Sequence, residues 1–193
     1  MNKEHVLLAV IWISYCLVHS LLASNTVKKY ALQVLRTNYK FYRPAYSILA
    51  FVSLGLLLWY HFLITGSYLF HWNLRFIPGI ILSLPGVIMM IVCIRKYFYE
   101  LSGLQALQNE SNKNTLQQKG LHKYVRHPLY LGTLLFIWGL FIIFPYLNNL
   151  IACLIITIYT VIGIELEEKK LREEFGDVYR EYSKKVPRLI PGW

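Results

Sequence analysis

A chain of 193 residues with 56% hydrophobic content and a mean hydropathy of +0.42 is too apolar for an ordinary soluble domain. Its net charge of +10, from 20 Lys and Arg against 10 Asp and Glu, comes with no DNA- or RNA-recognition motif. A basic surface facing anionic headgroups accounts for that charge without nucleic acid. Cys16, Cys93 and Cys153 have no paired spacing, which leaves neither a disulfide framework nor a zinc site. They read as small apolar core residues.

The first predicted helix covers 6–23. Lys3 ahead of an apolar run imitates a signal peptide, but the run contains Trp12, Tyr15 and His19 and lacks an A-x-A-like cleavage site, so it reads as a membrane span. The connection 24–44 is basic, and the second span follows at 45–65. In the third span, 77–94, Pro78-Gly79 and Pro85-Gly86 recur seven residues apart. That spacing places both pairs on one face, where a neighbour can approach closely or the helix can bend. The Asn/Gln-rich stretch 102–116 reads as a cytoplasmic loop that closes over a site. Spans 129–144 and 150–164 are shorter than the roughly 20 residues that cross hydrocarbon, and reach that length with their flanks. Trp59, Tyr60, Tyr68, Trp72, Tyr97, Tyr99 and Tyr146 fall near helix ends, as an interfacial belt does. His19 and His61 invite a haem reading that no repeated His spacing supports; His5, His71 and His122 read as interfacial. The fold class is therefore all-α and polytopic, with five transmembrane helices in a single domain. Residues 1–118 form a three-helix part and 119–193 the part that carries chemistry.

Orientation follows from the basic residues. The connection 24–44, the loop after the third span and the tail hold 18 of the 20 Lys and Arg. By the positive-inside rule the N-terminus is outside and the C-terminus cytoplasmic. Past Glu165 the tail reads as an amphipathic cap at the membrane surface, a helix stopped at Gly176-Asp177 followed by a shorter one.

Two clusters carry chemistry. Arg126, His127 and Pro128 stand at the entrance of the fourth span, and Glu165, Glu167 and Glu168 at the exit of the fifth. The turn at Pro145 brings both clusters to one membrane face, and charges there are costly unless something polar needs them. Pro128 starts the fourth helix, whose free N–H groups attract a carboxylate, with Arg126 and His127 adding donors. Glu167 and Glu168 supply acceptors for an ammonium or for ribose hydroxyls. Each residue also has a plainer role: Arg126 as a basic anchor, His127 as a helix cap, the Glu pair as solvated acids paired with Lys170 or Arg172.

The combination of Gly120, Tyr124, Arg126-His127-Pro128 and Tyr130 with Glu167-Glu168, Phe175-Gly176, Tyr179, Tyr182 and Arg188 resembles the C-terminal signature of integral-membrane methyltransferases. That superfamily includes isoprenylcysteine carboxyl methyltransferases, phospholipid N-methyltransferases and bacterial thiol methyltransferases. The likeness covers about residues 119–191. Trp12 and the His19–Ala23 segment are similar to a bacterial NnrU-like branch. The resemblance implies S-adenosylmethionine as methyl donor and a lipophilic or small membrane-partitioning acceptor: a carboxylate, thiol or amine. It implies His127, Tyr130, Glu167 and Glu168 as cofactor residues, with Tyr124, Arg126 and Leu121 behind them. Arg188 or Arg95 is the candidate to orient an anionic acceptor in catalysis. No metal is called for, and a bacterial inner membrane is the expected location. The rivals are a non-enzymatic membrane accessory protein that keeps the fold, and a membrane reductase using a nicotinamide cofactor.

Overall fold

The computed structural model describes residues 3–64, 66–101 and 116–190, with 99–101 described by backbone alone. Apart from an isolated bridge between Tyr68 and Tyr146, the regular structure among them is helical. In order come α1 (Lys3–Ala23), α2 (Asn25–Leu35), a 3-10 turn (Arg36–Phe41), α3 (Tyr42–Leu63), α4 (Phe76–Leu101), a second 3-10 turn (Gly120–Lys123), α5 (Pro128–Ile143) and α6 (Leu147–Lys185). Four segments are long and apolar enough to cross a membrane: α1, the stretch Asn25–Leu63 that contains α3, the Phe76–Phe98 part of α4, and α6; α5 is apolar but shorter. The chain is an all-α polytopic membrane protein, and the five predicted spans fall on α1, α3, α4, α5 and α6. The stretch 102–116, predicted to close over a site, lies outside the described residues except for Leu116.

Two expectations change. The basic connection contains a helix, α2, whose N-cap Ser24 accepts a hydrogen bond from the Val27 N–H at 3.3 Å. The helix of the fifth span does not stop near Ile164 but continues past the apolar run through Lys185, 39 residues in all. Gly176 breaks it at φ +52, a left-handed conformation that glycine adopts without a Cβ penalty, so the two tail helices are two arms of α6. Pro44, Pro78 and Pro128 each occupy the first turn of their helix, where the missing N–H would have no intrahelical partner anyway.

The residues cluster into two units, Met1–Ser67 with Tyr97–Asn112, and Tyr68–Lys96 with Lys113–Trp193. The division falls where Tyr97 leaves helical geometry within α4. In the first unit α1 and α3 pack antiparallel along a polar-aromatic seam. Trp12 Nε1 donates to His61 Nδ1 at 3.4 Å. The Tyr46 hydroxyl lies 3.0 Å from His19 Nε2, and the Tyr42 hydroxyl donates to the Leu22 carbonyl at 2.7 Å. Both histidines thus have partners inside the seam, which fits polar groups satisfied within an apolar layer.

In the second unit α4 and α5 meet glycine to glycine. A Cβ built on Gly86 would lie 2.7 Å from the Gly132 carbonyl, and one on Gly139 would lie 2.7 Å from the Gly79 carbonyl. The seven-residue repeat read in α4 therefore has a matching repeat in α5, and backbones approach where side chains are absent. α5 and α6 pair as a hairpin through Pro145, tied by Trp138 Nε1 donating to Thr157 Oγ1 at 3.0 Å. That hairpin sets the start of α5 beside the middle of α6.

Candidate functional site

Between the second 3-10 turn and α5 runs a short irregular segment that carries Arg126 and His127. Their backbone N–H groups donate to the carbonyls of Pro187 at 2.8 Å and Arg188 at 3.1 Å. The residues after α6 therefore lie alongside the start of α5. The spaced tyrosines hold them there. Tyr179, Tyr182 and Val186 are buried together, against Leu116, Leu171 and Phe175. The Tyr182 hydroxyl donates to the His122 carbonyl at 2.6 Å. Spacings of three and four residues put these side chains on one face of the distal arm of α6.

Glu168 is the hub. Its side chain is 2% exposed, and Arg126, at 8%, approaches it from the α5 side. Arg126 donates to Glu168 Oε1 from Nε at 2.8 Å and from Nη2 at 2.6 Å. The remaining nitrogen, Nη1, donates to the carbonyls of Ser183, at 2.8 Å, and Val186. His127 Nε2 lies 3.3 Å from the same Oε1, and Arg188 Nε donates to Oε2 at 3.1 Å. Arg172 stands 3.7 Å from Oε2 and donates to the Glu168 main-chain carbonyl at 3.2 Å. A buried carboxylate is tolerated only when its charge and lone pairs are met in this way. Burial alone would raise its pKa, but the Arg126 hydrogen bond and charge, then Arg188 and His127, outweigh it and hold the carboxyl below its ordinary range. Tyr179 lies beside the hub; burial, then the Glu168 charge, push its phenol up to about 12.

Glu167 is different. Its side chain is 45% exposed, with His127 Nδ1 3.8 Å away, and Tyr130 lies near it. The rings of His127 and Tyr130 have centroids 5.7 Å apart. Arg188, 42% exposed, pairs with Glu165 as well as with Glu168. An accessible carboxylate and an accessible guanidinium thus flank the start of α5. That donor set suits a ligand that carries both signs of charge.

Of the residues singled out in the sequence, Arg126, His127, Tyr130, Glu167, Glu168 and Arg188 come together. Leu121 stands back, its carbonyl accepting the Tyr124 N–H at 3.0 Å. Tyr124 is 63% exposed and contributes no side-chain contact to the cluster. Arg95 is exposed on α4 and, among the described residues, has no partner there. Three neighbours extend the cluster beyond the cofactor and catalytic residues named from the sequence. Glu165 binds Arg188, Arg172 reaches Glu168, and His122, read as interfacial, has Nδ1 3.0 Å from the Arg126 carbonyl. The i, i+4 spacing of Glu168 and Arg172 was the available signal for one of them. Among the described residues no group of three or more His, Cys, Asp or Glu side chains could hold a metal ion.

Comparison with known proteins bears on what such a cluster does. The family described as "Protein of unknown function (DUF1295)" matches residues 35–186. Methanethiol S-methyltransferase 1 of Bradyrhizobium diazoefficiens is 37% identical over 98 residues, 48% of this chain and 34% of that protein. Methanethiol S-methyltransferase of Crocosphaera subtropica is 27% identical over 189 residues, 92% of this chain and 71% of its own length. Protein-S-isoprenylcysteine O-methyltransferase of Schizosaccharomyces pombe is 34% identical over 111 residues, 52% of this chain and 46% of that protein. The match therefore spans about a third of the Bradyrhizobium protein and under half of the Schizosaccharomyces one. No solved structure matches the chain.

Proposed function

We propose, from the premise that the chain belongs to the DUF1295 family, that it is an integral-membrane methyltransferase with S-adenosylmethionine as methyl donor. The relatives' names supply the reaction class. The observation that carries the reading to this chain is the division of labour between the adjacent acids, one buried and saturated by Arg126 and Arg188, the other open beside His127.

The residues present fit that donor. Glu167 is an acceptor for its ammonium or ribose hydroxyls, and Arg188 is a cation for its carboxylate. When bound, the donor supplies an electrophilic methyl on a sulfonium. The chain's part is to hold and orient. Glu168 and Arg126 fix the segment that carries His127 into the start of α5, where Tyr130 stands near the Glu167 carboxylate. Positioning of this kind is the larger share of what an in-line methyl displacement needs. A membrane setting supplies the acceptor from the apolar phase and keeps water away.

A small thiol stands first among the acceptors, on the names of the relatives; a prenylated carboxylate and a phospholipid amine are the others. The basic residues favour a site on the cytoplasmic side of the membrane, and the bacterial relatives favour a bacterial inner membrane.

The test is calorimetric binding of S-adenosylhomocysteine to the full chain in detergent, followed by turnover with methanethiol as acceptor. Saturable binding that is weakened in Glu167→Gln supports the reading. A folded protein that binds neither donor nor product at millimolar concentration overturns it, in favour of a non-enzymatic membrane protein that keeps the fold.

A further inference from the structure

We propose that the elbow formed by α2 and the 3-10 turn after it is a docking site for the headgroups of anionic phospholipids. This goes beyond the methyl-transfer reading and stands without it. The first observation is charge. From His5 to Tyr99 the chain contains eight Lys and Arg and no Asp or Glu, and five of the eight, Lys28, Lys29, Arg36, Lys40 and Arg43, fall on this elbow and the first turn of α3. Glu4 stands at the far end of α1, about 30 Å away at 1.5 Å per residue. Among the described residues no carboxylate pairs with Lys29, Arg36 or Lys40. Lys40 instead sits over the Phe41 ring, 5.2 Å from its centroid. Lys29, Arg36 and Lys40 thus have no counter-ion among the described residues, and an external anion can supply one.

The second observation is the shape of α2. Ala31 is buried and Val27 half-buried, so that face packs against the unit. Tyr30 and Val34 lie beside that face, 68% and 60% exposed, and Leu32, 52% exposed, falls between Lys28 and Lys29 at 100° per residue. Lys29 and Arg36 fall on the face opposite Val27 at 100° per residue. An eleven-residue helix with large apolar side chains on its flanks and cations on its back matches an element lying in the plane of the interface. Its apolar flanks enter the acyl boundary and its cations meet the phosphates.

The third observation is Arg36 itself, the only non-glycine residue at positive φ among those described, at φ +47. Glycine would fill that position without strain. An arginine held there places a guanidinium at the corner of the elbow, and a bidentate partner such as a phosphate is what that group is shaped for.

The experiment follows thermal unfolding of the full chain in neutral detergent while short-chain phosphatidylglycerol or phosphatidylcholine is added. Inorganic phosphate and glycerol phosphate at equal concentration serve as free-anion controls. Phosphatidylglycerol alone raises the midpoint of the wild-type chain. Combined Lys29→Gln, Arg36→Gly and Lys40→Gln loses most of that shift, whereas Lys170→Gln, Lys184→Gln and Lys185→Gln on α6 keeps it. Arg36→Gly by itself separates folding from binding, because it relieves backbone strain. Its stability in plain detergent holds or rises while its response to phosphatidylglycerol falls. The proposal is overturned if the elbow variant keeps the full response, if both lipids act alike or not at all, or if free phosphate reproduces the effect.

Discussion

Arg126 grips Glu168 through two guanidinium nitrogens on one carboxylate oxygen, at 2.8 Å and 2.6 Å, with the carboxylate buried and the guanidinium nearly so. The pair ties the irregular segment before α5 to the middle of α6, across 42 residues of sequence. Because Arg126 also donates to two carbonyls at the end of α6, one guanidinium joins three stretches of chain. The open residues beside it, Glu167, Tyr130 and Arg188, inherit their positions from that joint.

Glu168→Gln and Glu167→Gln should therefore differ in kind. Removing the buried charge leaves Arg126 and Arg188 facing a neutral amide, and breaking such a pair costs about 3–5 kcal/mol. Thermal unfolding in detergent should show a large fall for Glu168→Gln. Glu167→Gln loses only a half-exposed acceptor, so its midpoint stays near wild type while its affinity for S-adenosylhomocysteine drops about tenfold or more, the worth of a charged hydrogen bond. If Glu168→Gln unfolds like the wild type, the joint is not structural. If Glu167→Gln binds normally, the ligand does not sit at that carboxylate.

Acid should weaken the fold in two steps. His122 is held below its ordinary 6.5, chiefly by burial, with Lys96 and His127 acting the same way and the Arg126 carbonyl and Glu167 opposing. The unfolded chain then takes up that proton more readily, so stability falls as pH drops below about 6.5. Glu168, held below its ordinary 4.5 by Arg126, Arg188 and His127 against the effect of burial, contributes stability fully above that value. Its contribution is lost as pH falls through the lowered one. Unfolding midpoints from about pH 8 to about pH 3 should decline in these two windows. His122→Gln should remove the first and leave the second; a curve unchanged in that variant would assign the first step elsewhere.

Much of this was legible beforehand, and the reasons differ by element. The spans follow from uninterrupted apolar runs, whatever packs against them. α2 was hidden because Lys28 and Lys29 interrupt a short run, so the segment read as a basic connection although its periodicity is helical. The Glu pair was visible as a pair but not as two roles. Adjacent residues on a helix point about 100° apart, so one acid is turned inward and the other out, and only the packing of α5 decides which. Arg188 was named as an orienting cation, but its link to Glu165 depends on the chain turning back after Val186, which no local pattern encodes.

The tail clamp should be measurable through Tyr182. Its hydroxyl donates to the His122 carbonyl at 2.6 Å while its ring is buried beside Tyr179. Tyr182→Phe keeps the ring and strands a main-chain acceptor, at a cost of about 1–3 kcal/mol. Limited proteolysis of the C-terminal arm should accelerate in that variant. An unchanged cleavage rate would mean that apolar packing alone holds the arm.

The contact between α4 and α5 gives the sharpest contrast between two chemically identical substitutions. At Gly139 an added Cβ would stand 2.6 Å from the Ser83 backbone nitrogen and 2.7 Å from the Gly79 carbonyl. Both are main-chain atoms that cannot rotate away, so the helices must separate. Separation forfeits close packing along the whole Gly79–Gly86 stripe, and overpacking of this sort costs about 1–3 kcal/mol. At Gly163, on α6, nothing lies within 4 Å of the added atom. There the substitution only restricts the unfolded chain and improves helix propensity, worth about 0.5–1 kcal/mol in favour of the fold. Gly139→Ala should thus lower the unfolding midpoint in detergent and Gly163→Ala should leave it level or raise it. Equal effects at the two sites would mean that the α4–α5 interface yields without strain, and the glycine repeat would then have no role in setting the distance between them.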